Sequence, residues 1–120
     1  MNTPRRFPGS VYREGDEPDP RFSLANERTF LAWLRTALAM YAGAFALEAL
    51  ALPDAIAWRI AAAGVFLVLG TLAAAQAWFG WRATEKSLRR GAPLPGLAAG
   101  AVLVIGVVVA AALVTIGLYV

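Results

Sequence analysis

The sequence has no cysteine and no histidine. Disulfides, thiolate nucleophiles, iron–sulfur ligation and zinc sites built from those residues are therefore excluded. So is the side chain most often used for proton transfer near neutral pH. Charge is scarce as well, at 16% of 120 residues, where soluble domains carry about 25%. Apolar residues reach 59% against a usual share of about 45–50%. A chain this short buries the least surface on folding, so lipid or other subunits must cover the excess. No nucleophile–base pair is present. The expectation is a protein that is not an enzyme and uses no cofactor and no metal.

What the sequence does have is three long apolar runs. Thr29–Ala51 is interrupted only by Arg35 and Glu48, while Ile60–Trp81 and Leu97–Val120 carry no formal charge. Each exceeds the roughly 20 residues a helix needs to cross about 30 Å of hydrocarbon. Barrel strands would alternate and be about half as long. The expected fold is an all-α membrane protein, with residues 23–120 forming a three-span domain of helices at about 24–51, 56–90 and 96–119. Residues 1–22 hold four of the seven prolines and few aliphatic side chains, which predicts a disordered cytoplasmic leader. The first run is too long, and too far from the start, for a signal peptide.

Orientation follows from the basic flanks. Arg5, Arg6, Arg13, Arg21 and Arg28 precede the first span, and Arg82, Lys86, Arg89 and Arg90 follow the second. The first connection has only Arg59 nearby and the C-terminus has none. The N-terminus should be cytoplasmic and the C-terminus outside, in a bacterial inner (plasma) membrane. Trp33, Trp78 and Trp81 would sit at the inner boundary and Trp58 at the outer one. Because the basic residues track the membrane rather than one soluble patch, no nucleic-acid partner is expected.

The stretch SLANERTFLAWLRTALA, residues 23–39, carries the chemistry. Ser23 can cap a helix, and Glu27 suits the positive end of its dipole. At 100° per residue, Arg28 and Arg35 stand within about 20° of each other, with Arg35 about 10 Å deeper. Intramembrane charges usually face a bundle interior or a cavity. The expected anion site has Arg28 and Arg35 supplying charge, Glu27 orienting one of them, and Arg82 or Gln76 completing it. A simpler alternative is a pair of interfacial arginines that snorkel and fix topology. In the tight first hairpin, Glu48 and Arg59 are equally distant from the Pro53–Asp54 midpoint, which predicts a structural ion pair.

Small residues suggest assembly. Ala99, Gly106, Ala110 and Gly117 share one face of the third helix, and Gly96 and Gly100 form a GxxxG at its start. Such faces let helix backbones approach closely in lipid. Three helices enclose little space, so a homo-oligomer or a complex with a membrane-subunit partner is expected, surrounded by membrane lipids. Symmetric copies would place rings of Arg28 and Arg35 round an axis.

The run ANERTFLAWLRTALA resembles the signature of the YidH-like family, domain of unknown function 202. The exit AWFGWRATEKSLRRG resembles the family's second landmark, over a likeness spanning roughly residues 22–119. The same domain forms the membrane part of the vacuolar transporter chaperone complex, a polyphosphate polymerase. There, the resemblance implies, basic helix residues line a path for polyphosphate. Glu27, Arg28 and Arg35 match the first-helix motif and Arg82 the second. The chain lacks the soluble catalytic domains, so polymerase activity does not follow. A phosphate-containing anion is the implied ligand; the alternative role is a non-catalytic membrane scaffold or anchor subunit.

Overall fold

Asp19 and Pro20 decide where the first long helix begins. The Asp19 carboxylate accepts a hydrogen bond from the Arg21 amide at 2.9 Å, and Pro20 occupies the first helical position. Proline is favoured there because its missing N–H would have no intrahelical partner anyway. The helix thus starts four residues before the expected position, and Ser23, expected to cap it, is already inside and bonds elsewhere. The computed structural model describes residues 5–120, with helices α1 (Gly9–Tyr12), α2 (Pro20–Leu50), α3 (Ile56–Arg90) and α4 (Ala98–Tyr119). No strand occurs among the described residues.

The protein is a three-span membrane protein: α2, α3 and α4 are each long and apolar enough to cross a bilayer. At 1.5 Å per residue, α4 is about 33 Å long, close to the hydrocarbon thickness, whereas α2 and α3 reach about 46 and 52 Å. Their surplus projects at the end that carries the leader and the 91–97 connection, called here the basic end. The opposite, hairpin end holds the α2–α3 turn and the C-terminus.

α3 is the shared wall. It packs against both α2 and α4, which do not pack against each other. Its α2-facing side carries Gly70, where an added methyl would lie 2.7 Å from the Tyr41 ring and 3.2 Å from the Ala37 carbonyl oxygen. Its α4-facing side carries Leu69, which lies over Gly106. The interior is made of small side chains: Ala37 and Ala44 on α2, Ala62, Ala63, Ala73 and Ala77 on α3, Ala110 on α4. Large apolar side chains such as Phe45, Phe79 and Val108 are turned outward, each more than 60% exposed. That arrangement suits lipid, where close backbone approach rather than bulk burial holds helices together.

The stripe on α4 meets α3 of its own chain. Ala110 is fully buried, and Gly117 sits where a methyl would lie 2.5 Å from the Pro53 ring and 2.7 Å from Trp58 Cβ. Gly96 and Gly100 face no other helix of this chain closely. Gly96 precedes the helix with open space round it, and the atoms nearest to a methyl on Gly100 would be those of its own Leu97. A GxxxG pattern joins helices only where both glycines are helical and face a neighbour.

Residues 1–4 of the leader lie outside the described residues. From Arg6 onward the leader runs along the basic end of α3. Val11 is fully buried, Phe7 stacks on Trp78 at 6.0 Å, and Tyr12 tilts against Trp81 at 6.1 Å.

Candidate functional site

Asn26, Ala37 and Ala44 mark the buried stripe of α2. Arg28 and Arg35 lie about 160–180° round the helix from that stripe and are exposed. Among the described residues neither makes a hydrogen bond or an ion pair. One further seven-residue step toward the N-terminus is Arg21, exposed and paired with Asp19 at 2.7 Å. The outward face of α2 therefore carries a three-arginine ladder, with its two deeper members unpaired among the described residues.

The other expected members of the site are elsewhere. Gln76 points into a cleft between α2 and α4, with its amide lying across the bare Cα of Gly80. Arg82 donates to Ser10 Oγ of the leader at 3.0 Å. Glu27 is exposed beside Phe7, Phe30 and Trp81, with no arginine partner among the described residues. The chain thus brings Arg28 and Arg35 onto one face, and does not bring Gln76, Arg82 or Glu27 to them by direct contact. At the hairpin end, Arg59 Nε lies 3.7 Å from Glu48 Oε1.

A polar knot at the basic end was not anticipated from the sequence. Glu85 is buried and accepts hydrogen bonds from Ser23 Oγ at 2.5 Å and Asn26 Nδ2 at 3.1 Å. Asn26 Nδ2 also donates to the Trp81 carbonyl at 3.1 Å. These contacts tie the motif on α2 to the aromatic exit of α3. A buried carboxylate is tolerated only when its oxygens are satisfied in this way.

Next to it, the buried Arg89 guanidinium clasps the leader. It donates to the carbonyls of Glu14 at 2.7 Å and Tyr12 at 3.0 Å, and to Glu17 Oε2 at 3.3 Å. Glu17 also accepts two bonds from Arg6, at 2.9 and 2.7 Å, and that hydrogen bonding holds its carboxyl below the usual glutamate range. The same contact raises the Arg6 pKa, and burial pushes the Tyr12 hydroxyl up. The Asp16 amide donates to the Arg89 carbonyl at 3.0 Å. Gly15 makes this approach feasible: its φ is +55°, and a methyl there would overlap the Arg89 carbonyl. Glu14 neutralises Arg90 and, at 3.9 Å, Lys86. At the basic exit of α3, Lys86, Arg89 and Arg90 are therefore matched by acidic side chains of the leader, whereas Arg28 and Arg35 on α2 meet none among the described residues.

Comparison with known proteins gives a consistent set of likenesses. Residues 21–87, more than half of the chain, match the pattern described as a domain of unknown function, DUF202. An uncharacterized protein of Mycobacterium tuberculosis (strain ATCC 25618 / H37Rv) is 43% identical over 98 residues, covering 77% of this chain and 80% of its own. The inner membrane protein YidH of Escherichia coli (strain K12) is 43% identical over 88 residues, covering 71% and 75%. YidH of Shigella flexneri gives the same figures. No solved structure matches the chain.

Proposed function

Because the chain belongs to the DUF202 family, which includes the YidH inner membrane proteins, we propose that it is an inner-membrane protein whose outward α2 face binds or conducts an anionic group. Its N-terminus and the 91–97 connection face the cytoplasm, where nine basic residues flank the spans. One observation carries the reading. Arg28 and Arg35 have no side-chain partner among the described residues and stand opposite the buried stripe of α2, where no helix of the same chain packs. A charged side chain on a membrane helix is disfavoured increasingly with depth, and Arg35 stands about 10 Å deeper than Arg28, so such residues normally meet a partner, a cavity or an anion.

Phosphate, polyphosphate and lipid head groups share the chemistry this face would take: oxyanions that accept the planar guanidinium fork. The likeness of the first-helix motif to the membrane domain of the vacuolar transporter chaperone complex supports a phosphate-rich ligand. Self-association through this face would turn two cations per chain into rings lining an axis.

The test is native mass spectrometry of the detergent-released protein with inorganic phosphate or short-chain polyphosphate, paired with flux of the same anions into vesicles. The parent should form a defined oligomer with phosphate adducts, and Arg35→Ala should weaken adduct formation at least tenfold while inserting and assembling normally. If Arg35→Ala instead fails to insert or assemble, the arginines are topology anchors and the reading is wrong.

A further inference from the structure

The cleft that receives Gln76 lies on the other side of α2 from the arginine ladder. α2 and α4 lean on different sides of α3 with no close backbone approach to each other, and the gap between them is floored by α3. Its deeper part has a volume of about 330 Å³ and is bounded by Trp33, Leu69, Leu72, Phe79, Val102 and Leu103, a size within the range of ligand pockets, about 300–1,000 Å³. Its shallower part, toward the basic end, adds Asn26, Thr29 and Thr84. Trp33, Gln76 and Ala99 line both parts, so the two are one continuous groove. No charged side chain lines it.

Depth identifies the occupant. α4 is barely as long as the hydrocarbon is thick, so its first residue, Ala98, marks the basic-end boundary of the membrane core. Gln76 shares the groove wall with Ala98 and Ala99, at the level where the glycerol esters of a membrane lipid lie. Its amide makes no hydrogen bond to another described residue, although it borders an apolar groove. An unsatisfied amide is disfavoured in such surroundings. Gly80 provides the room in which that amide rests. Beyond Gln76 the walls are wholly apolar over the length of α4's first two turns.

The geometry points to a lipid site: one acyl chain of a glycerolipid lies in the groove between α2 and α4, with its ester carbonyl accepting a hydrogen bond from the Gln76 amide. The site is independent of the arginine face, since Trp33 and Arg35 differ by about 160° round α2.

The full-length protein is exchanged in detergent into an equimolar mixture of a diacyl phosphatidylglycerol and its diether analogue, and retained lipid is read by native mass spectrometry. One diacyl lipid per chain should be retained at least fivefold over the diether form, which lacks the carbonyl; this needs no altered protein. Gln76→Leu should erase that preference, and Ala99→Phe, which fills the groove, should abolish retention at unchanged helix content. Equal retention of both lipids by the parent would overturn the proposal, as would full retention by Ala99→Phe. Loss of lipid in Arg28→Ala or Arg35→Ala with the groove variants unaffected would place the lipid on the arginine face instead. Failure of the phosphate test leaves the ester preference untouched, so the two readings fail separately.

Discussion

Glu17 links two arginines in the leader's attachment. It serves Arg6 and Arg89 at once, and the Arg6 hydrogen bonds hold its carboxyl below the ordinary glutamate range. A depressed pKa means the contact stabilises the docked leader fully above the unfolded value, and that this stabilisation is lost as pH falls through the folded one. Amide exchange at Asp16, whose N–H is held by the Arg89 carbonyl, should therefore accelerate as pH drops below the usual carboxylate range, after correction for intrinsic exchange. Glu17→Gln should show the faster exchange already at neutral pH. Gly15→Ala should act more strongly, by more than about 1 kcal/mol, because the position needs a left-handed backbone as well as space.

At the scale of elements, the helices meet through glycines that are not interchangeable. Gly117 faces Pro53 and the Cβ of Trp58, which cannot swing aside, and Gly70 faces the Tyr41 ring. Gly117→Ala and Gly70→Ala should each lower stability by about 1–3 kcal/mol, the usual cost of overpacking. Gly96→Ala, with open space round it, should leave the midpoint unchanged in thermal unfolding followed by circular dichroism. The spans were legible in the sequence because hydrophobic length alone decides them. The hairpin register was legible as well: Glu48 and Arg59, Ala37 and Gly70, and Asn26 and Trp81 are each equidistant from the Pro53–Asp54 midpoint. The composition of the site was not. Reflection about a turn fixes height but not azimuth, so Gln76 could be levelled with the first helix yet face α4. Nothing in the spacing of Arg82 shows that it donates to Ser10 of the leader. Extending the same reflection to the ends of the hairpin would have found Asn26 beside Trp81, and Glu85 one turn beyond.

Over the whole molecule, the long axis measures 66 Å, about twice the hydrocarbon thickness. The excess lies at the basic end, where the α2 start, the α3 exit and the leader form a polar stalk. With no native cysteine, single replacements map the orientation directly. Ala92→Cys should react with an impermeant maleimide only from the cytoplasmic face, and Asp54→Cys only from the outside. The reverse pattern would invert the proposed topology.

The position of α4, which rests on α3 and on Pro53 of the α2–α3 turn, also bears on how the protein is made. The α2–α3 hairpin, its leader clasp and the Asn26–Glu85 tie involve no residue beyond Ala92. A nascent chain can therefore complete that unit in the bilayer while its last helix is still unsynthesised. On that order α4 would dock last against a finished surface, and the groove wall at Ala98 and Ala99 would close with it.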